Sequence, residues 1–473
     1  MTKERHYYTM LAPLIFSALT AFQPDVTYFT VWMQGAKIGY SSYASESIQY
    51  QGKPAEKSTS KTELKVGLIG SPLEMTIDSE TITVSGKPVQ MHFVQSSGGR
   101  QQVMDAWFEP KAIRVEVDNN GAKTKETLQY PKDGTIVDDP VAEFALHPTA
   151  AGATKTFYIL DPTTVSLVKN TAKLTGKEDI TVNGKQVSAN AILIADPRMN
   201  TTVYTSGKGD IVKITTTIGM EMVPATKEEA MGKVSTNNQP DIADLTSVKP
   251  SVPIENPLAT TNLRIRLSAD NLPQIPNDPQ QRSRPDGKAW IINVRPTQLK
   301  DSKTVSIDVA KKQQPDWIKP SLHIPADSPR FTKLAKTILK KDTDVKSAAL
   351  DIRNYVNSIM TPNAGIGVLR DASEVLDAKE GVCRDYAILT VTLCRAAGIP
   401  ARIASGLVNF EGNFYYHAWV EVWTGYDWLG LDSVPSSDFF TATHVKLSQG
   451  NVDQAFTFTI LANAHMEVLE QKS

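Results

Sequence analysis

The chain has little that would tie it together covalently or hold it to a charged partner. It carries two cysteines in 473 residues, Cys383 and Cys394, and both fall in one helix-like run. Eleven residues along a helix is about three turns, or ~16 Å, too far for a mutual disulfide. No Cys/His cluster has zinc spacing, no Gly-rich loop could cradle a phosphate, and no acidic loop has calcium spacing. No metal and no organic cofactor is therefore implied. An excess of one charge is missing too: 50 basic and 51 acidic side chains leave a net charge of −1. That balance predicts neither nucleic-acid binding nor attraction to an acidic membrane surface. The apolar run from Met10 to Phe22 is too short to span a bilayer, so no transmembrane helix is expected beyond that segment.

What is present is ordinary for a soluble globular protein: 41% hydrophobic and 21% charged residues, in a chain long enough for two or three cored domains. Lys3 and Arg5 precede the apolar run, the pattern of an export signal over residues 1–25. Residues 26–231 read as strand after strand. Turn signals at Gln34-Gly35-Ala36, Gly52-Lys53-Pro54, Gly86-Lys87-Pro88, Asn119-Asn120-Gly121 and Asn183-Gly184-Lys185 separate β-rich runs, and Ile113 to Val117 alternates with period two. This predicts a large antiparallel all-β domain, curved or closed on itself. His92 and His147 have no evident partners in it. A short helix is expected over Thr226–Met231, and residues 232–256 have linker composition. Residues 257–319 read as a small β module, with Val305 to Val309 as one of its strands.

From residue 320 the pattern changes. Ser328-Pro329 caps and opens a helix with Phe331, Leu334, Ala335, Ile338 and Leu339 on one face. A second follows, capped by Asp342 or Thr343, with Val345, Ala349, Ile352, Val356 and Ile359 inward. Then comes Gly381-Val382-Cys383-Arg384-Asp385-Tyr386, opening a helix that is apolar almost all round and stops at Gly398-Ile399-Pro400. Cys383 falls in its first turn, where the helix dipole favours a thiolate. Cys394, deeper in the same helix, reads as core. Phe414 to Trp423 has strand composition, with Tyr415, His417, Trp419, Glu421 and Trp423 on one face. A turn at Thr424-Gly425 leads to a second strand ending at Asp432, which a hairpin of this length can bring beside His417. Nucleophile, base and orienter are thus predicted as Cys383, His417 and Asp432. Trp419, Trp423 and Trp428 read as packing residues, and Glu421 as a solvated or salt-bridged one.

The set Gly-Val-Cys-Arg-Asp-Tyr-Ala, Cys-Arg-Ala-Ala-Gly-Ile-Pro-Ala-Arg, Ser-Gly-Leu-Val and Tyr-His-Ala-Trp-Val-Glu-Val-Trp resembles the bacterial transglutaminase-like (papain-like) cysteine enzymes. The resemblance covers about Pro320 to Met466 and extends to Ala442 through Gly450, which is similar to the family's closing segment. That family follows its aspartate with Pro-Thr, where this chain has Ser433-Val434. The resemblance implies an α+β papain-like transglutaminase core over 320–473 and carries the triad onto Cys383, His417 and Asp432.

The expected protein is multidomain and periplasmic or extracellular. It is a cysteine-dependent amide hydrolase (peptidase or amidase) or acyl transferase working through a thioester on a protein or peptide, such as a cell-envelope peptide. The alternative is a non-enzymatic envelope-binding or scaffold protein with the same fold. Export gives the first test. Sequencing the N-terminus of the mature protein should place it between residues 19 and 27, and an intact Met1 on soluble cytoplasmic protein would contradict the signal.

Overall fold

The structure, a computed structural model, describes residues 26–138, 151–235, 239–270, 272–339, 343–365, 367–455 and 460–473. The expected signal, His147 and Asp342 lie outside them. The described chain forms two compact units: residues up to Ile242 together with Gly365–Leu369, and Ala243–Ala364 with Arg370–Ser473.

The first unit is built on one antiparallel sheet of fourteen strands. Its strands alternate as the sequence predicts: in Ala112–Asn119, Ile113, Val115, Val117 and Asn119 are buried and the intervening side chains are half-exposed. The turns match as well. Gln34-Gly35 and Asn183-Gly184 both have two consecutive positive φ values (49° and 76°, 48° and 75°), the backbone a two-residue hairpin needs to follow the strand twist. From Thr27–Met33 the strands follow in sequence order to one edge at Ala122–Gln129; on its other side Met220–Ala225 begins the return to the second edge at Thr154–Asp161. That second edge is covered. Tyr158 donates its N–H to Thr135 O at 2.8 Å, and Val137 donates to Tyr158 O at 3.0 Å. The Gln102 amide also reaches the carbonyls of Pro162 and Thr163, at 3.4 and 3.3 Å, so the sheet curls back toward its own far side. His92 does have a partner, contrary to expectation: Asp105 stands directly opposite on the neighbouring strand, 2.8 Å from Nδ1. The short helix is Lys227–Ala230, closed by a Thr226–Glu229 capping box.

The second unit is α+β. Four antiparallel strands run in the order Trp428–Leu431, Asn413–Trp423, Ala401–Phe410, Val445–Gly450. Helices Pro329–Leu339, Val345–Ile359 and Ala372–Ala378 pack around a central helix, Cys383–Ala396, which also lies against this sheet. A further sheet has the order Gln281–Asp286, Ala289–Val294, Asn262–Ser268, His465–Lys472. The three strands between 257 and 319 thus share their sheet with a strand from far along the chain. A core containing Val248, Leu263, Ile292, Leu407, Phe414, Val445 and Met466 joins the two sheets. Among the described residues, no helix is long and apolar enough to cross a membrane.

Two local expectations change. Val305 to Val309 is not a strand. Val305 donates to Thr424 O at 2.9 Å and Ser306 forms one isolated antiparallel bridge with Asp344; Ser306 also stands at the N-cap of helix Ile307–Gln313, which buries Ala310. The alternating Val, Ile and Val were read with period two, but the Ile307 to Ala310 spacing carries the burial. The helix expected to be capped by Asp342 or Thr343 is instead capped by Asp344, whose carboxylate accepts from Ser347 N at 3.1 Å.

Phe414 exchanges backbone hydrogen bonds with Val248 (2.8 and 2.7 Å) and is fully buried. Phe414→Ala should lower the unfolding free energy by ~3–5 kcal/mol, read as a lower urea midpoint with little change in slope.

Candidate active site

The turn before Cys383 is fixed by buried charge. Val382 occupies the N-cap of the Cys383 helix and, having no polar side chain, cannot cap it. Asp385, at the third helical position, accepts the Val382 N–H at 2.9 Å and puts a negative charge in the first turn, where the dipole favours it. The Arg370 guanidinium pairs with both Asp385 oxygens, Nε to Oδ1 at 3.1 Å and Nη2 to Oδ2 at 3.0 Å, and both side chains are wholly buried. Nη2 also donates to Glu380 O at 2.5 Å. Gly381 lies between these groups with φ +157°; a Cβ there would collide with the guanidinium and the Asp385 carboxylate. Cys383 itself stays half-exposed, while Cys394 is sealed in the core, where burial pushes its thiol up to about 12.

His417 lies mid-strand in Asn413–Trp423, and Asp432 directly follows the partner strand Trp428–Leu431. The register sets Val420 opposite Leu431, so Asp432 ends diagonally across from His417. His417 Nε2 donates to Asp432 Oδ2 at 2.8 Å, and the ring also hydrogen-bonds the Cys383 side chain. The three predicted residues are brought together.

The turn after Asp432 is held from the helix Val345–Ile359. Arg353 donates to the carbonyls of Asp432 (2.9 Å), Ser436 (3.2 Å), Ser437 (2.6 Å) and Pro435. Asn357 donates to those of Ser433, Val434 and Pro435 at 3.0, 3.2 and 3.1 Å. Ser433, which replaces the resembled family's proline, puts its hydroxyl 2.8 Å from Thr390 on the Cys383 helix. The substitution thus adds a tie between the nucleophile helix and the aspartate turn.

A fourth residue was not foreseen. His444 is buried with Nε2 3.2 Å from Asp432 Oδ2. Its ring stacks on Phe440 at 4.0 Å and meets the edge of Trp419 at 5.3 Å. No periodicity links it to His417; only the pairing of Val445–Gly450 with Ala401–Phe410 brings it in. The one available signal was its position in the segment similar to the family's closing residues.

Electrostatics separate the two imidazoles. Burial alone would lower His417, but the charge and hydrogen bond of Asp432, and then Cys383, outweigh it and hold the ring at about 10. Burial would raise Asp432, but His417, and then the His444 hydrogen bond, keep its carboxyl far below the usual carboxylate range. For His444 burial prevails over Asp432, and the ring is pushed below the usual histidine range. The donor atoms of His417, Asp432 and His444 lie within 4.8 Å of one another, but they are spent on hydrogen bonds among themselves. The set is a hydrogen-bonded cluster centred on the Asp432 carboxylate.

Glu421 is salt-bridged and buried, not solvated: Arg402 Nη2 lies 2.7 Å and Lys446 Nζ 2.5 Å from its oxygens. Trp423 donates its indole N–H to Gln313 at 2.7 Å, and Arg402 stacks over Trp428 at 4.3 Å.

The Arg370–Asp385 pair yields a stability prediction. Arg370→Leu leaves Asp385 buried without a counter-charge and should cost ~3–5 kcal/mol, whereas the double variant Arg370→Leu/Asp385→Leu should cost clearly less than the sum of the singles. Chemical denaturation of the four proteins measures it.

Comparison with known proteins places these features in context. Residues 332–433 match the transglutaminase-like superfamily, a span that includes Cys383, His417 and Asp432. Residues 25–234 match a family described as a protein of unknown function, DUF3108. An uncharacterized protein of Mycobacterium tuberculosis is 39% identical over 80 residues, covering 14% of this chain and 25% of that protein. The chain thus spans about a quarter of the length of the curated relatives it first matches. Among solved structures, a candidate cysteine protease from Cytophaga hutchinsonii is 18% identical, covering 45% of this chain and 89% of that one, with a TM-score of 0.32. A beta-barrel-like protein of the DUF1849 domain from Brucella abortus is 12% identical, covering 43% and 96%, with a TM-score of 0.31.

Proposed function

Because residues 332–433 are a transglutaminase-like superfamily domain, we propose that the second unit is a cysteine-dependent amide hydrolase or acyl transferase with Cys383, His417 and Asp432 as its triad. The observation that carries this reading is the His417 ring, which hydrogen-bonds the Cys383 side chain on one side and the buried Asp432 carboxylate on the other. In the proposed reaction the Cys383 sulfur, as thiolate, attacks an amide carbonyl carbon. The carbonyl π pair moves to oxygen, and the Cys383 backbone N–H in the first helical turn receives that oxyanion. Collapse of the tetrahedral intermediate breaks the C–N bond, and His417 gives its proton to the departing nitrogen. His417, now neutral, takes a proton from water or an acceptor amine as that group attacks the thioester, and the sulfur leaves as thiolate. Water gives a peptidase or amidase; an amine gives a transglutaminase-type transfer. The proposed substrate is a protein or peptide, and the N-terminal export pattern supports a periplasmic or extracellular site for the reaction.

Loss of members should rank by role. Cys383→Ala should abolish turnover, and His417→Ala should lower it by about 10⁴-fold or more, while Asp432→Ala should leave measurable activity. The double variant Cys383→Ala/His417→Ala should be no worse than Cys383→Ala alone. A screen for released ammonia, cleaved peptide or cross-linked amine, with wild type against Cys383→Ala, provides the readout. A folded Cys383→Ala protein with wild-type turnover would refute the assignment. If the unit were a binding scaffold, Cys383 would react with iodoacetamide no faster than an unfolded thiol.

The pH dependence follows from His417. Its folded value is raised, so the charged ring stabilises the fold fully below about pH 6.5, and that contribution is lost as pH rises through about 10. Turnover should fall over the same alkaline range, since a neutral His417 has no proton for the leaving nitrogen. Asp432 is lowered, so its contribution disappears only in acid, below the ordinary carboxylate range. Melting and rate profiles against pH test both signs.

A further inference from the structure

His444 belongs to no step of that mechanism, yet it is buried against the group on which the mechanism depends. Its Nε2 lies 3.2 Å from Asp432 Oδ2, the same oxygen that receives His417. Its Nδ1 lies 3.1 Å from both the hydroxyl and the carbonyl oxygen of Thr441. A neutral imidazole has one N–H, and the surroundings decide where it sits. On Nδ1 it would point at Thr441 and leave the Nε2 lone pair facing a carboxylate oxygen in a buried site. On Nε2 it donates to Asp432, and Nδ1 accepts the Thr441 hydroxyl proton. Thr441 Oγ1 can in turn accept from Thr443 Oγ1, 2.6 Å away. The second arrangement keeps a lone pair from facing the buried carboxylate, and it leaves the Thr441 carbonyl to the His444 backbone N–H, which donates to it at 3.3 Å. A doubly protonated ring would satisfy both sides, but it would be a second buried cation close to His417, and burial already opposes it.

The ring has no freedom to leave this position. Phe440 stacks on one face at 4.0 Å, and Trp419 abuts it at 5.3 Å in an edge-on arrangement. Phe440 in turn fills the space where Gly430 has no side chain, on the strand that ends at Asp432. The charged or titratable groups at the site include His417 from the strand Asn413–Trp423 with Cys383 beside it, Asp432 itself, and Arg353, which holds the Asp432 carbonyl from the helix.

We propose that His444 is a positioning residue of the site: as a neutral Nε2–H donor it fixes the plane of the Asp432 carboxylate and takes a share of its charge. The proposal rests on the catalytic reading of Cys383, His417 and Asp432. Asp432 then accepts three donors, the two histidine N–H groups at Oδ2 and Val434 N–H at Oδ1, the last at 2.9 Å. A carboxylate shared in this way holds the His417 proton less tightly than one facing His417 alone. His417 remains charged at neutral pH but is a better acid toward a leaving nitrogen.

The test needs no substrate. Nuclear magnetic resonance of the ring nitrogens of the full chain should show His444 as the neutral Nε2–H tautomer; the Nδ1–H tautomer or a charged ring at neutral pH would overturn the proposal. The titration of His417 is then followed in His444→Leu, His444→Gln and Thr441→Val, each checked for melting. Removing the donor in His444→Leu should move the His417 midpoint up by about 0.5–1 pH unit, because Asp432 no longer shares its charge. Thr441→Val, which removes the hydroxyl that favours the Nε2–H form, should move it the same way by less. His444→Gln, which restores an N–H donor, should return it toward wild type. Once a substrate is found, kcat in His444→Leu should fall about tenfold and recover in His444→Gln. An unchanged or lowered His417 midpoint in folded His444→Leu would show a merely structural residue, and should that variant not fold, the same outcome in Thr441→Val would show it. The catalytic reading fails separately, by retained turnover in Cys383→Ala, a result that does not bear on the His444 tautomer.

Discussion

The second unit depends on one buried carboxylate. A charged Asp432 away from water is tolerated only if donors take its lone pairs, and the fold supplies them from separate places: His417 on a central strand, His444 from a loop, and Val434 from the turn that follows it. Arg353 and Asn357 fasten that turn through its carbonyl oxygens, leaving the carboxylate itself to the imidazoles. The usual stability argument for a buried ion pair is weak, because desolvation offsets attraction. Here the pairing specifies geometry instead: it fixes Nε2 of His417 on the carboxylate.

A second buried pair serves the other half of the site. Arg370 and Asp385 meet beneath the Gly381 turn, where no other residue would fit, and together they take over the capping that Val382 cannot perform. Cys383 therefore begins its helix at a point determined by electrostatics more than by local propensity. The two buried charge systems come from different elements, and the Thr390–Ser433 hydroxyl pair ties them together.

The legible parts of the sequence were those whose partners lie close along the chain. The Cys383 helix shows its start, its apolar circumference and its stop in one run. His417 and Asp432 are joined by a hairpin short enough for register to be inferred. The turns of the first unit declare themselves by two-residue signals, so its antiparallel sheet was readable strand by strand. What the sequence concealed were contacts made across distance. His444 enters only because the strand that follows it pairs with Ala401–Phe410. Arg370 meets Asp385 across a loop, a helix and a turn, and nothing in its neighbourhood marks it as buried. Val305 to Val309 misled for a different reason: a β-branched alternation also fits the start of a helix, and here one begins at Ile307 directly after an isolated bridge at Ser306.

The pairing of Asn262–Ser268 with His465–Lys472 bears on the order in which the protein can assemble as it is made. The ribosome delivers the first of these strands long before the second, and Leu461 and Met466 belong to the same apolar core as Leu263 and Phe414. Throughout elongation that core has an open side, and the emerging segment must wait for a strand not yet translated. In the fourteen-stranded sheet of the first unit, every pairing except that of Thr27–Met33 with Met220–Ala225 joins strands consecutive in the chain, so most of it faces no such delay. A nascent chain would thus carry a largely settled leading unit and an unfinished trailing one, in which Cys383, His417 and Asp432 could not acquire their packing until synthesis had passed well beyond all three of them.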